Sequence, residues 1–338
     1  MPNNLNSLKP LPGLIYLILV SIVSQYLSDL VTVGGKHPLE ASVIAIIIGV
    51  LLKNTGFVSN TFHSGISYSE KVLVLGIVLL GASLDFNNVI SQGPGILMVV
   101  LATMIIGFFL ISFIGRIFSL SENLSLLLAI GTTICGTSAI AITAPILRSK
   151  QEETSYAIGT VAFCGLLAIL VYPYLGRALA VSDLQFGVFA GTAIHSTPQV
   201  VGAGFMFSDI AGQTATAVKL VRNCFMAPLA FIIAFWIKKK NADNKLFKPI
   251  DIKKAFPWFL FGYFIMAVLG SKGYFSIEWL EHFSTYAKFF ILMGMAGIGL
   301  STDLSSFKNI GLKPLILGLI GTIILGAVSA VMISLVVR

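Results

Sequence analysis

Eleven apolar stretches follow one another along the chain, near 12–31, 40–53, 69–86, 94–115, 122–147, 153–175, 184–207, 212–237, 255–270, 286–304 and 313–337. Most approach the roughly 20 residues that an α-helix needs to cross a bilayer's hydrocarbon. Backbone polar groups in lipid must be satisfied within the segment, so such a series folds as a bundle of helices. Composition points the same way. Charged residues make up 11% of the 338, against about 25% in soluble domains, too few to solvate a water-exposed surface. The sequence therefore predicts an all-α integral membrane protein with about eleven membrane segments, forming a single transmembrane domain over residues 1–338.

The net charge is +8. In a soluble protein that surplus would suggest nucleic acid; in a lipid-embedded chain it marks loops held on the cytoplasmic side, and no nucleic-acid partner is expected. Seven lysines fall between Lys238 and Lys254, which makes 240–254 a basic cytoplasmic loop. Counting eleven spans outward from it puts the N-terminus inside and the C-terminus outside. Fourteen of the 22 Lys and Arg residues then lie inside and six outside, with Lys219 and Arg222 left within the membrane. The first apolar run, Leu14 to Val23, leads into Ser24, Gln25 and Tyr26 without a clear small-x-small cleavage site, and reads as a retained span. Cys135, Cys164 and Cys224 lie in apolar stretches without CxxC spacing, so neither a disulfide framework nor a metal site is expected.

Two internal similarities emerge when the chain is laid on itself. Gly76 to Phe86 aligns without gaps on Gly294 to Leu304, matching Gly76, Gly81, Ser83 and Asp85 with Gly294, Gly299, Ser301 and Asp303. Under the topology above these segments cross in opposite directions, as in transporters built from inverted repeats. Chance likeness among Gly- and Ser-rich apolar helices is the bland alternative. The second similarity pairs Gly131-Thr132-Thr133-Ile134-Cys135-Gly136-Thr137-Ser138 with Gly191-Thr192-Ala193-Ile194-His195-Ser196-Thr197-Pro198. As full spans these two run the same way; as re-entrant hairpins they enter from opposite faces, and the charge division becomes fifteen against five. The sequence leaves both arrangements open.

These two segments are candidates for interrupted helices. Gly131, Thr132, Cys135, Gly136, Thr137 and Ser138 make a poor continuous helix in lipid, and unwound backbone there must line protein or a wet cavity. A half-helix N-terminus so exposed attracts anions. Tight packing through small residues is the competing explanation. In the second segment Pro198 removes a donor and frees a carbonyl about one turn earlier. His195 and Gln199, four apart, would share a face if the helix persisted. His195 is a candidate for coupling protonation to transport, or else a neutral bridge between helices. Segment 212–237 carries Lys219, Arg222 and Asn223 at offsets that share one helix face. Buried cations cost several kcal/mol unless compensated, and no Asp or Glu lies mid-segment. Such a site suits an anion, unless the cations reach the interface or pair with Asp85 or Asp303, which stand near segment ends as candidate gates or proton carriers. No GxSxG, HExxH or Walker A pattern occurs, so no enzyme and no cofactor are expected.

The blocks LLGASLDF (79–86), GTTICGTSAIAITAPIL (131–147), GTAIHSTPQVVGAGF (191–205), VKLVRN (218–223) and GIGLSTDL (297–304) resemble, in the same order and over essentially the whole chain, the sulfate exporter family of bacterial inner-membrane proteins. The resemblance implies about eleven membrane segments, distant kinship with bile-acid/sodium symporters and sodium/proton antiporters, broken helices crossing at the bilayer centre, and an anionic solute. It carries roles onto Cys135, Gly136, Ser138, His195, Gln199, Lys219 and Arg222. Thr137 stands where that family commonly has Asn, and Ser196 where it often has Asp, so a His–Asp relay at His195 is not implied.

The expected function is a secondary transporter of a small anion working by alternating access, with H+ or Na+ as possible coupling ion and a homo-oligomer as a possible state. Lys219 and Arg222 would neutralise the solute, while Thr132, Thr137, Ser138, Ser196 and backbone N–H groups donate to it, with Gln199 and Asn223 nearby. An anion channel and a cation-coupled symporter of an organic anion are the alternatives.

Overall fold

A computed structural model describes residues 10–30, 40–84, 86–240, 258–307 and 311–337. Asp85 and nearly all of the basic loop lie outside the described residues. In chain order the helices are α1 (Leu11–Leu30), α2 (Ala41–Asn54), α3 (Asn60–Ile66), α4 (Ser69–Leu80), α5 (Phe86–Ile117), α6 (Glu122–Thr133), α7 (Thr137–Leu147), α8 (Gln151–Ala178), α9 (Asp183–Ala193), α10 (Thr197–Phe207), α11 (Asp209–Cys224), α12 (Met226–Lys240), α13 (Phe259–Ser271), α14 (Ile277–Ser301) and α15 (Leu312–Val336). No strand occurs among the described residues. The protein is an all-α integral membrane protein. Large apolar side chains such as Leu19, Phe109, Phe235 and Leu335 are more than half exposed, a surface suited to lipid.

Half of the fourteen acidic residues sit in first turns, away from the middles of the apolar stretches: Glu70, Glu122, Glu152, Glu153, Asp183, Asp209 and Glu278. There they meet the positive end of the helix dipole. Ser121, Ser182, Ser208 and Ser276 cap the same ends by accepting from backbone N–H groups. The α14 helix begins at Ile277, nine residues before the apolar stretch that announced it, because its first turns are polar.

The helices pack as two compact units. The first comprises residues 1–87 and 259–305. In it α14 runs antiparallel to α4: Gly294 lies against Leu73, and a Cβ on Gly76 would stand 2.9 Å from the Ala287 carbonyl oxygen. These are the two halves of the first internal similarity, and they do run in opposite directions. Both end alike, since α4 passes through a 3-10 turn into extended Leu84 and α14 ends at extended Thr302. Asn54 holds the second break, donating to the Thr302 carbonyl at 2.9 Å and accepting from the Leu304 N–H at 2.8 Å.

The second unit comprises residues 88–258 and 306–338. Its contacts decide between the two arrangements the sequence leaves open. Ser121 touches Glu153 and Gly131 packs on Val161, so α6 runs parallel to α8. The α7 helix leads back to the start of α8 through three residues, and so runs antiparallel to α6. On the other side Gly187 faces Thr214 and Gly191 faces Val218, so α9 is parallel to α11. Gly204 faces Gly212 while Thr197 meets Asn223, so α10 is antiparallel to α11. Phe186 at the start of α9 stacks on Phe207 at the end of α10, with ring centroids 4.0 Å apart. Both interrupted segments are therefore re-entrant hairpins. The first enters from the end of α8 at Gln151, the second from the end at Ala178. Each is followed by a 28-residue span, Gln151–Ala178 and Asp209–Trp236. A hairpin and a span thus occur twice in opposite directions, an inverted repeat.

Candidate functional site

The two hairpin tips meet beside the middle of α8. Gly131 near the first tip packs on Val161, and Gln199 of the second lies against Gly165. A Cβ on Gly136 would be 3.3 Å from the Cβ of Ser196, and the Cys135 sulfur lies 3.7 Å from Thr197 Oγ1. Gly136 precedes α7 with φ +66° and ψ −133°, a backbone region that L side chains rarely enter, which explains glycine there.

Each tip leaves the last carbonyls of a helix without intrahelical partners. Lys219 and Arg222 of α11 take them. Lys219 Nζ donates to the carbonyls of Ile134 (2.8 Å), Ile194 (3.3 Å) and His195. Arg222 Nε and Nη2 donate to Thr133 (2.6 Å) and Thr132 (2.7 Å) of the first tip. Its Nη1 reaches Gly191 (3.2 Å), Thr192 (2.9 Å) and Ile194 (2.9 Å) of the second. Ile194 stands four residues before Pro198, and its freed carbonyl is one of these acceptors. Both cations are fully buried. They neither reach the interface nor meet a carboxylate, for no Asp or Glu is buried among the described residues. The expectation of direct contact with a solute changes accordingly. All three Lys219 N–H bonds are spent on carbonyls, which leaves none for direct donation to a bound molecule.

Asn223 shares the face of Lys219 and Arg222 and donates from Nδ2 to Thr197 Oγ1 at 3.0 Å. Its Oδ1 has no hydrogen-bond partner, and neither does the Thr132 hydroxyl. His195 and Gln199 do not share a helix face, because the helix is broken between them. Instead Gln199 Oε1 accepts from the Ser196 N–H at 3.3 Å and its Nε2 lies 3.5 Å from the Ala162 carbonyl, which fixes the tip to α8. His195 lies in the break, fully buried, with Nε2 3.2 Å from Thr322 Oγ1 of α15. Among the expected groups Ser138 is exposed, while Thr137 and Ser196 are half-buried. The N-terminus of α7 is thus the accessible part of the cluster. Asp303 belongs to the first unit, where its Oδ1 accepts from the N–H and hydroxyl of Ser305 at 2.8 and 2.6 Å.

Sequence reasoning missed Thr322 and Ser329 of α15. Ser329 Oγ lies 2.6 Å from Thr192 Oγ1, so the two residues stitch α15 along the second hairpin. The signal was a hydroxyl in the middle of an apolar span.

A family model described as Conserved hypothetical protein 698 matches residues 12–318. The chain belongs to this family. Similar proteins include a UPF0324 membrane protein of Bartonella henselae, 33% identical over 96% of this chain and 92% of its own. Another, from Clostridium tetani, is 30% identical over 94% of each chain. A third, from Streptococcus pneumoniae, is 34% identical over 91% of this chain and 92% of its own. Membership of a family of membrane proteins agrees with the apolar helices, and the family match spans both hairpin tips and the α11 cations.

Proposed function

We propose that this protein is a secondary transporter, not an enzyme, that moves a small anion by alternating access. The observation that carries the reading is the burial of Lys219 and Arg222 at the hairpin tips with backbone carbonyls as their partners and, among the described residues, no buried carboxylate. The local charges favour an anion. Two helix C-termini contribute about −0.5 each and two cations +1 each, leaving about one positive charge. The starts of α7 and α10 add about +0.5 each in the same place. A monoanion at the first turn of α7, within reach of Thr137, Ser138 and the backbone N–H groups there, would offset about half of that surplus. The Thr132 and Ser196 hydroxyls are further candidate donors.

The resemblance noted above makes a sulfur oxyanion or an organic anion the first candidate, with export as the direction and kinship to bile-acid/sodium symporters as the expected ancestry. The lysine-rich loop supports a bacterial inner-membrane protein with its N-terminus in the cytoplasm. H+ or Na+ remains the proposed coupling ion. The opposed hairpins favour a carrier over an anion channel, because paired inverted elements about one site suit exchange between two faces.

The test is counterflow in proteoliposomes with labelled sulfite, sulfate and small sulfonates. A carrier takes up label faster when unlabelled anion is trapped inside. Uptake indifferent to the trapped anion, or no uptake of any anion, contradicts the reading.

A further inference from the structure

His195 and Asn223 point to a narrower class of solute. Thr322 Oγ1 lies 2.7 Å from the Gly318 carbonyl, and its single proton is committed there. With that proton on the carbonyl, the 3.2 Å contact between Thr322 Oγ1 and His195 Nε2 is satisfied by the tautomer in which Nε2 carries the hydrogen and donates it. In the neutral ring this leaves Nδ1 as a bare acceptor. Nδ1 is buried and has no partner. Asn223 Oδ1 is in the same condition on a residue 2% exposed. Its amide is bonded to Thr197, the first residue of α10, so this acceptor sits where the tips meet. Buried acceptors left without donors are costly, and a ligand that brings a donor removes the cost.

We infer that the site selects an oxyanion carrying its own hydroxyl group. This rests on the anion reading and deepens it. The anionic end lies at the first turns of α7 and α10, and the O–H donates to His195 Nδ1 or Asn223 Oδ1. A hydroxyl suits these acceptors better than an ammonium, because Lys219 and Arg222 repel a cation in the same interior. Hydrogen-oxyanions and hydroxylated sulfonates or carboxylates meet the description. Fully deprotonated oxyanions, halides and zwitterionic amino acids do not.

The test uses the purified full-length chain and matched probes of equal anionic charge. 2-Hydroxyethanesulfonate is compared with 1-propanesulfonate, and glycolate with propionate, by calorimetric binding and by uptake into proteoliposomes. 2-Aminoethanesulfonate supplies the ammonium counterpart. The hydroxylated member is expected to bind about tenfold more tightly or better, since a site built to accept a hydroxyl proton discriminates strongly against its absence. In His195→Phe or Asn223→Leu the ratio is expected to fall toward one. Should either variant fail to melt cooperatively, the wild-type ratio decides by itself. Equal binding within both pairs, tighter binding of the ammonium probe, or a preference that survives both substitutions overturns the inference and leaves the anion reading standing. If no member of either pair binds or exchanges, both fall.

Discussion

Gly136 and Ser196, sixty residues apart, touch where the two hairpin tips meet, and a Cβ on the glycine would stand 3.3 Å from that of the serine. The glycine's φ of +66° compounds the crowding. Gly136→Ala should therefore cost about 1–3 kcal/mol in backbone strain alone. A lowered melting temperature of the detergent-purified protein, with reduced anion flux, is the expected result. Unchanged melting would mean that the tip is looser than described.

Arg222 joins five carbonyls from two hairpins. Arg222→Gln leaves several of them buried without donors, at about 1–3 kcal/mol for each group stranded. The variant should melt far below the wild type or fail to accumulate. Arg222→Lys, with one compact donor group, should fall between them. The ranking wild type, Lys, Gln in thermal unfolding checks this, and equal stabilities would contradict it.

The hairpin arrangement predicts sidedness. Cysteines placed at Ser121 and Ser149 should react with an impermeant thiol reagent from one face of the membrane. Cysteines at Ser182 and Ser208 should react from the opposite face. Labelling of Ser121 and Ser149 positions from different faces would show that residues 122–147 span the bilayer.

Much of this was legible in the sequence, and the illegible parts share a cause. The apolar stretches, the presence of interruptions within 131–138 and 191–199, and the common face of Lys219, Arg222 and Asn223 follow from hydropathy, glycine, proline and helical offset. Whether a broken segment crosses or returns did not follow, because both courses bury the same side chains and move only Arg148, Lys150 and Arg177 between faces. The destination of the cations was hidden for a different reason. Their partners are the carbonyls of Thr132, Thr133, Gly191, Thr192, Ile134, Ile194 and His195, and every residue type has a carbonyl. Side-chain patterns record the two positive charges but not the helix ends that receive them. Gln199 shows the same limit: its amide turns back to Ser196 and α8 because the helix that would have set it beside His195 is broken.

The most direct test of the account is to locate an anion in the protein. Hydrogen selenite bears an O–H and scatters anomalously, so crystals grown with selenite at a pH where the monoanion prevails would report its position. A selenium peak within hydrogen-bonding range of the first turns of α7 and α10, beside Asn223, is the predicted result. A peak confined to the protein surface, with the hairpin tips holding a cation, would contradict it.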